Sequence, residues 1–230
     1  MELSASVRTV QIKEDVTSRN NAQAQSLRDA LKREKIFYLN VMSSPGSGKT
    51  TLIVNLIRRL KEDYRIGVIE ADIDSDVDAL AASRAGARTI QIHTMGACHI
   101  TCQMSREALE ALDARGLDLV ILENIGNLVC PAEFDTGAVK NAMILSVPEG
   151  HDKPLKYPLI FTVCDALIIN KIDVLPYFDF DMDKVREFAH KRNPDIEIFP
   201  ISAKTGEGVD AWCNWLEAQV RACLLYTSDA

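Results

Sequence analysis

"SSPGSGKTT" (43–51) sets two glycines, a lysine and two threonines directly after an apolar run, "IFYLNVM". That composition suits a polyphosphate. Successive backbone N–H groups at the start of a helix cradle anionic oxygens, Lys49 reaches the β- and γ-phosphates, and the Thr50 hydroxyl holds Mg²⁺. Pro45, Gly46, Ser47, Gly48 and Thr51 complete the nucleotide-binding loop. One position departs from the usual pattern. It opens on glycine, and this chain has Ser43, which fits if φ stays negative there.

"NKID" (170–173) points to the base. Asp173 can accept from the N1–H and the exocyclic amine of guanine, a pair adenine lacks, and a wrong base leaves buried polar groups unpaired. The Lys171 stem lies along the ring. "SAKTGEG" (202–208) offers backbone N–H groups to the guanine carbonyl, so Asn170, Ser202, Ala203 and Lys204 join the expected site. GTP and GDP are therefore expected, and an ATP-dependent kinase on the same fold is disfavoured.

Hydrolysis needs carboxylates near Mg²⁺ and a sensor of the γ-phosphate. Asp72 ends one apolar run and Glu123 another, and Gly126 follows in "ENIGN", the Asp-x-x-Gly spacing with Glu in place of Asp. Lys49, Asp72, Glu123 and Gly126 form the expected catalytic set, with Thr50, Asp72 and Glu123 around Mg²⁺. The competing reading makes the two carboxylates strand-end caps. Asp74, Asp76 and Asp78 add charge to the same loop.

A second constellation is metal-like. Cys98-His99 stands five residues beyond the run "RTIQIH" (88–93), and Cys130 follows the run that carries Glu123. Two thiolates and an imidazole suit Zn²⁺ or Ni²⁺. The competing reading has both cysteines as small buried side chains and His99 as a helix cap. Cys102, one helical turn after Cys98, reads as core rather than as a ligand, as do Cys164, Cys213 and Cys223; His93, His151 and His190 are isolated.

Alternating strands and helices must position these loops. Strands are expected at 36–44, 65–72, 88–93, 117–124, 142–147, 164–170 and 196–202, and helices at 49–61, 77–86, 105–116, 182–193 and 209–224. The strands are continuous apolar runs, the pattern of a sheet buried on both faces. The expected class is an α/β P-loop NTPase: three layers, with a mostly parallel sheet covered by helices on both faces. Residues 1–35 read as a polar, partly helical appendage, 36–224 as the GTPase domain with inserted metal-binding loops, and 225–230 as a tail foreign to the pattern.

The chain has 230 residues and a net charge of −7, from 26 basic and 33 acidic side chains. That argues against a nucleic-acid partner held by phosphate neutralisation. Neither a signal-peptide pattern nor an apolar run near the ~18 residues of a membrane span appears. A cytoplasmic location is expected, and six cysteines there are thiols or metal ligands rather than disulfides.

Taken together, "SSPGSGKTT", "CHITCQM", "ENIGNLVCPAEFD", "SVPEGHDKPLKYP", "NKIDVLPY" and "WCNWLE" resemble the hydrogenase nickel-incorporation GTPases, the HypB family of dimer-forming P-loop GTPases. The resemblance covers roughly residues 20–220. It implies a GTP-promoted homodimer with Cys98, His99 and Cys130 binding metal at the interface. It also implies a companion nickel metallochaperone and delivery of nickel to the large subunit of [NiFe]-hydrogenase. Alternatives are a metal-binding scaffold whose nucleotide is structural, or an accessory GTPase for another nickel enzyme such as urease. The chain departs from many members in lacking Cys and His over residues 1–35, in having Leu80-Ala81 after Asp78-Ala79 where an arginine is frequent, and in carrying Cys102.

Overall fold

The computed structural model describes residues 12–72, 77–94 and 96–226. Seven strands form one sheet in the order β3-β2-β4-β1-β5-β6-β7. They are β1 (Phe37–Ser43), β2 (Ile66–Asp72), β3 (Arg88–His93), β4 (Leu119–Gly126), β5 (Lys140–Ser146), β6 (Ala166–Asn170) and β7 (Glu197–Pro200). Every pairing is parallel, so the expected mostly parallel sheet is wholly parallel among the described residues. The reason lies in the connections: a parallel pair needs a crossover long enough to hold a helix, and those helices bury both faces.

One face packs on α2 (Lys49–Leu60) and α9 (Val209–Leu224). Leu52, Ile53, Leu56, Ile57 and Leu60 recur with the helical period and bury against Phe37, Leu39 and Val41. α3 (Val77–Ala85) adds Ala82 and Ala85 to this core. The other face carries two cores. One lies under α1 (Ile12–Arg33) and α4 (Cys102–Ala111), the other under α7 (Pro158–Val163) and α8 (Met182–Arg192). Between these cores runs a row of amides, two of them, Asn40 and Asn124, buried. Asn124 Nδ2 donates to Asn40 Oδ1, and Asn40 Nδ2 to Asn141 Oδ1, each at 2.9 Å across β4, β1 and β5. Paired this way, the row escapes the roughly 1–3 kcal/mol cost of each buried unsatisfied group.

Two expectations change. Residues 1–35 read as an appendage with few core positions, yet α1 places Ala24, Leu27 and Leu31 in the core with Tyr38 and Leu109. Three apolar positions on one stripe suffice to dock a charge-rich helix. The helix expected at 105–116 begins at Cys102 and ends at Ala111. Thr101 caps it, accepting from the Met104 N–H at 3.3 Å, and Asp113 turns left-handed at φ 50° beyond its end. Among the described residues no helix is long and apolar enough to cross a membrane.

Candidate nucleotide site and metal loops

Parallel strands put the loops after β1, β2, β3, β4 and β6 on one edge of the sheet. The phosphate loop sits at its centre, where the order reverses between β4 and β5 on either side of β1. α2 starts at Lys49, so its first-turn N–H groups have no partners within the helix. They open onto a cleft of about 500 Å³ lined by Gly46, Lys49, Thr50, Glu70, Glu123 and Gly126.

Ser43 stays outside the left-handed region. Its hydroxyl receives the Ser47 hydroxyl at 2.6 Å and Lys49 Nζ at 3.0 Å, and donates to the Ser44 carbonyl at 2.7 Å. The serine that replaces glycine therefore tethers the lysine over its own loop. Gly126 pairs in register with Ser43. A Cβ there would lie 3.0 Å from Pro45 Cγ and 3.2 Å from the Pro45 nitrogen, so only glycine lets β4 approach the loop this closely.

Thr50 donates its hydroxyl to Glu123 Oε1 at 2.8 Å. Glu123 is buried, and its neighbour in register on β2 is Glu70, equally buried. A hydroxyl and a carboxylate brought together at the end of a phosphate loop are hard oxygen donors of the kind Mg²⁺ takes. Glu70 was not among the expected residues, although a lone acid inside the apolar run "RIGVIEAD" was its signal. Asp72 was expected instead. Its backbone closes β2 opposite His93, while its side chain, with Asp74 and Asp76, lies outside the described residues. Asp78 lines the cleft.

The base flank lies on the other side of the loop, at β6 and β7. Asn170 is buried and acts as a hub. Its Nδ2 donates to the Ser47 carbonyl at 2.8 Å, and its Oδ1 accepts from the Lys171 N–H at 2.8 Å and the Ala203 N–H at 3.0 Å. Lys171, left-handed at φ 64°, stretches its Nζ 2.6 Å from the Gly46 carbonyl. Ser202 donates to Asp173 Oδ1 at 2.7 Å, which fixes the carboxylate. Ala203, within the stretch expected to face the guanine carbonyl, gives its N–H to Asn170 in this structure and so braces the hub.

The metal candidates sit on the phosphate flank. Cys98 Sγ lies 3.8 Å from His99 Nδ1, and the Cys98 and Cys130 thiols lie near enough to influence each other's ionisation. The His99 ring stacks on Phe134, centroids 3.8 Å apart and planes within 10°. Cys130 opens the short helix α5 (Cys130–Glu133), and Asn127 Oδ1 accepts from the Val129 and Cys130 N–H groups at 2.7 and 3.3 Å. The neighbouring Cys98 thiol and then burial hold the Cys130 thiol above its ordinary value, while partial burial pulls His99 down. A neutral imidazole suits metal binding, and thiol protons must leave as a metal enters. Among the described residues no group of three or more His, Cys, Asp or Glu side chains is gathered closely enough to hold an ion. Phe134 covers one face of the His99 ring, while Nδ1 stays beside Cys98. The donor chemistry fits a soft or borderline metal, and closing the set needs a further donor or a tighter approach of the two loops.

Cys102 is fully buried, and burial raises its thiol. Cys164, Cys213 and Cys223 are buried as well. His151 Nδ1 accepts from the Asp181 N–H at 3.2 Å, and His190 Nε2 lies 3.2 Å from the Ile196 carbonyl.

A family model described as CobW/HypB/UreG, nucleotide-binding domain, matches residues 37–200. The hydrogenase maturation factor HypB of Escherichia coli (strain K12) is 43% identical over 212 residues, which span 92% of this chain and 73% of that protein. The hydrogenase/urease maturation factor HypB of Helicobacter pylori (strain ATCC 700392 / 26695) is 39% identical over 215 residues, spanning 92% of this chain and 88% of that one. The crystal structure of HypB from Helicobacter pylori in complex with nickel superposes with a TM-score of 0.83 at 37% identity, covering 92% of this chain and all of that one. Members of this family bind GTP and GDP with Mg²⁺ and hydrolyse GTP. A phosphate loop, a guanine-type carboxylate and two cysteine-bearing loops on one sheet edge, with this similarity over nearly the whole chain, establish that it belongs to the HypB family of hydrogenase maturation GTPases.

Proposed function

We propose that this chain is a GTP-driven metallochaperone that carries nickel, or zinc in its place, on Cys98, His99 and Cys130 for insertion into [NiFe]-hydrogenase. Nickel is its cargo. Lys49 and the first turn of α2 hold the β- and γ-phosphates. Thr50, Asp72 and Glu123 hold Mg²⁺, which supplies charge neutralisation at the transferring phosphate. The Gly126 N–H senses the γ-phosphate, and Asn170, Lys171, Asp173, Ser202, Ala203 and Lys204 form the guanine side of the site.

The observation that carries this reading is contiguity. Gly126 packs on Pro45 of the phosphate loop, and Cys130 follows it by four residues through the Asn127 turn. A shift of Gly126 toward a γ-phosphate must therefore move a thiol ligand. Three donors from one chain leave a tetrahedral ion one short. A second copy supplies the remainder in a GTP-promoted homodimer, in keeping with the half-exposed Val129 beside Cys130. The companion nickel metallochaperone and the hydrogenase large subunit are the expected donor and recipient. By linkage, metal must alter nucleotide affinity as much as nucleotide alters metal affinity.

Sedimentation of wild type and Cys130→Ala with GDP or a GTP analogue, with and without Ni²⁺ or Zn²⁺, tests this. Wild type should dimerise with the analogue, and metal should strengthen the dimer only when Cys130 is present. A metal-bound protein whose association ignores nucleotide sinks the coupling and favours a scaffold with a structural nucleotide. A second client, urease, is supported by the name of the Helicobacter pylori relative; comparing maturation of both enzymes in a strain lacking this chain separates the two.

A further inference from the structure

The two metal loops meet on α1. Asn20 is buried, only 6% exposed. Its Oδ1 accepts from the Cys102 N–H at 2.9 Å, and its Nδ2 donates to the Asp135 carbonyl at 2.8 Å. The first bond holds the start of α4, the segment that follows Cys98-His99. The second holds the loop that follows Cys130. One side chain thus ties together backbone positions 82 and 115 residues away from it in sequence.

Further contacts hold the junction. Arg28, two turns along α1, grips both Asp135 carboxylate oxygens at 2.7 Å and donates to the Ala138 carbonyl at 2.8 Å. Asp135 in turn accepts the Gly137 N–H at 2.9 Å. Leu27 presses on the same turn: a Cβ at Gly137 would lie 2.7 Å from its Cδ2. The residue before Asp135 is Phe134, on which the His99 ring stacks. From Asn20, one path therefore runs through Asp135 and Phe134 to His99, and another through Cys102 to the turn bearing Cys98.

From this geometry we propose that Asn20 is a positioning residue for metal binding: it sets the spacing of the Cys98-His99 loop against the Cys130 loop. The proposal rests on the metal reading above. Side chains that orient ligands without touching the ion act on affinity through ligand placement. α1 is then the template on which both loops are registered.

The test uses the full chain with Ni²⁺ and Zn²⁺ alone, and Co²⁺ as a spectroscopic reporter. Asn20→Asp keeps an acceptor for the Cys102 N–H, loses the donor to Asp135, and so separates metal placement from the capping of α4. It should lower Ni²⁺ affinity by about 10- to 100-fold and weaken the thiolate-to-Co²⁺ charge-transfer band, with metal-free GTP hydrolysis unchanged. Asn20→Ala should do at least as much. Arg28→Gln, which removes the guanidinium grip on the Asp135 carboxylate and leaves both Asn20 bonds in place, tests the placement of the Cys130 loop by α1 if either Asn20 variant fails to fold. Cys98→Ser and Cys130→Ser run alongside. If they abolish binding while Asn20 and Arg28 variants bind with wild-type affinity and spectrum, the positioning role falls and the metal site stands. If the cysteine variants also bind normally, both readings fall. A lowered melting temperature with unaltered metal binding likewise overturns the proposal, since it marks Asn20 as structural only.

Discussion

The Thr50 hydroxyl donates to Glu123 Oε1 at 2.8 Å, joining the first turn of α2 to β4. The bond links the helix that follows β1 to the strand beside β1 in the sheet. It couples the phosphate loop to the segment that leads into Cys130.

Glu123→Gln removes the charge and keeps the shape. GTP turnover should fall by about 100-fold or more, the scale of a lost acid–base or metal-orienting group. GDP affinity should change only a few-fold, because Lys49 and the helix start remain. Single-turnover hydrolysis with a parallel GDP titration checks both; equal loss in the two measurements would make Glu123 a binding residue only.

Asp173 is held by the Ser202 hydroxyl at 2.7 Å. Asp173→Asn replaces a charged acceptor by an amide, and GTP affinity should drop roughly 10- to 100-fold, the worth of about 1.5–3 kcal/mol for a charge-assisted bond. Xanthosine triphosphate, with a carbonyl where guanine has its amine, should bind the variant better than GTP does. Competition titrations read this directly, and wild-type guanine preference in the variant refutes the base assignment.

Cys102 and Cys130 should part company. Cys102→Ser puts a hydroxyl into a fully buried position. It should cost about 1–3 kcal/mol in denaturant unfolding, with metal stoichiometry unchanged. Cys130→Ser should do the reverse, sparing stability and removing Ni²⁺. Loss of metal in the Cys102 variant would make it a ligand after all.

Asp118 accepts Arg65 Nη2 at 2.8 Å, Nε at 3.0 Å and the Arg65 N–H at 2.8 Å, tying the start of β2 to that of β4. These bonds hold its carboxyl below the ordinary 3.8. A depressed folded value stabilises the fold fully above the unfolded one, and that stability disappears as pH falls through the folded value. Arg65 is largely exposed, so the pair is worth at most ~1 kcal/mol. Asp118→Asn should therefore unfold more readily at pH 7, with the difference closing below pH 3.8. A gap that persists in acid would assign the effect to lost packing.

Much of this protein is written in contiguous stretches. "RTIQIH" is β3 with the expected bounds, and "VDAWCNWLEAQVRACL" is α9, because apolar period and glycine punctuation act over a few residues. "SSPGSGKTT" and "NKID" carry their chemistry within one turn each, where helix start and strand end alone dictate geometry. α4 starts three residues before its expected bound because Thr101 accepts from the Met104 N–H and so opens the helix at Cys102.

Other features exist only as meetings of distant segments. Asn20 sits in a charge-rich helix that reads as an appendage, and nothing local marks it as the residue joining Cys102 to Asp135. The Asn40, Asn124 and Asn141 row comes from three strands, and Glu70 finds Glu123 only through the β2–β4 register. By itself, the sequence determined the elements, the phosphate loop and the identity of the metal-type donors. The tertiary structure decided which of those donors meet, what turns His99 onto Phe134, and which amides must be paired. Periodicity and loop chemistry are short-range, whereas strand order and register, which settle these contacts, depend on packing the whole sheet at once.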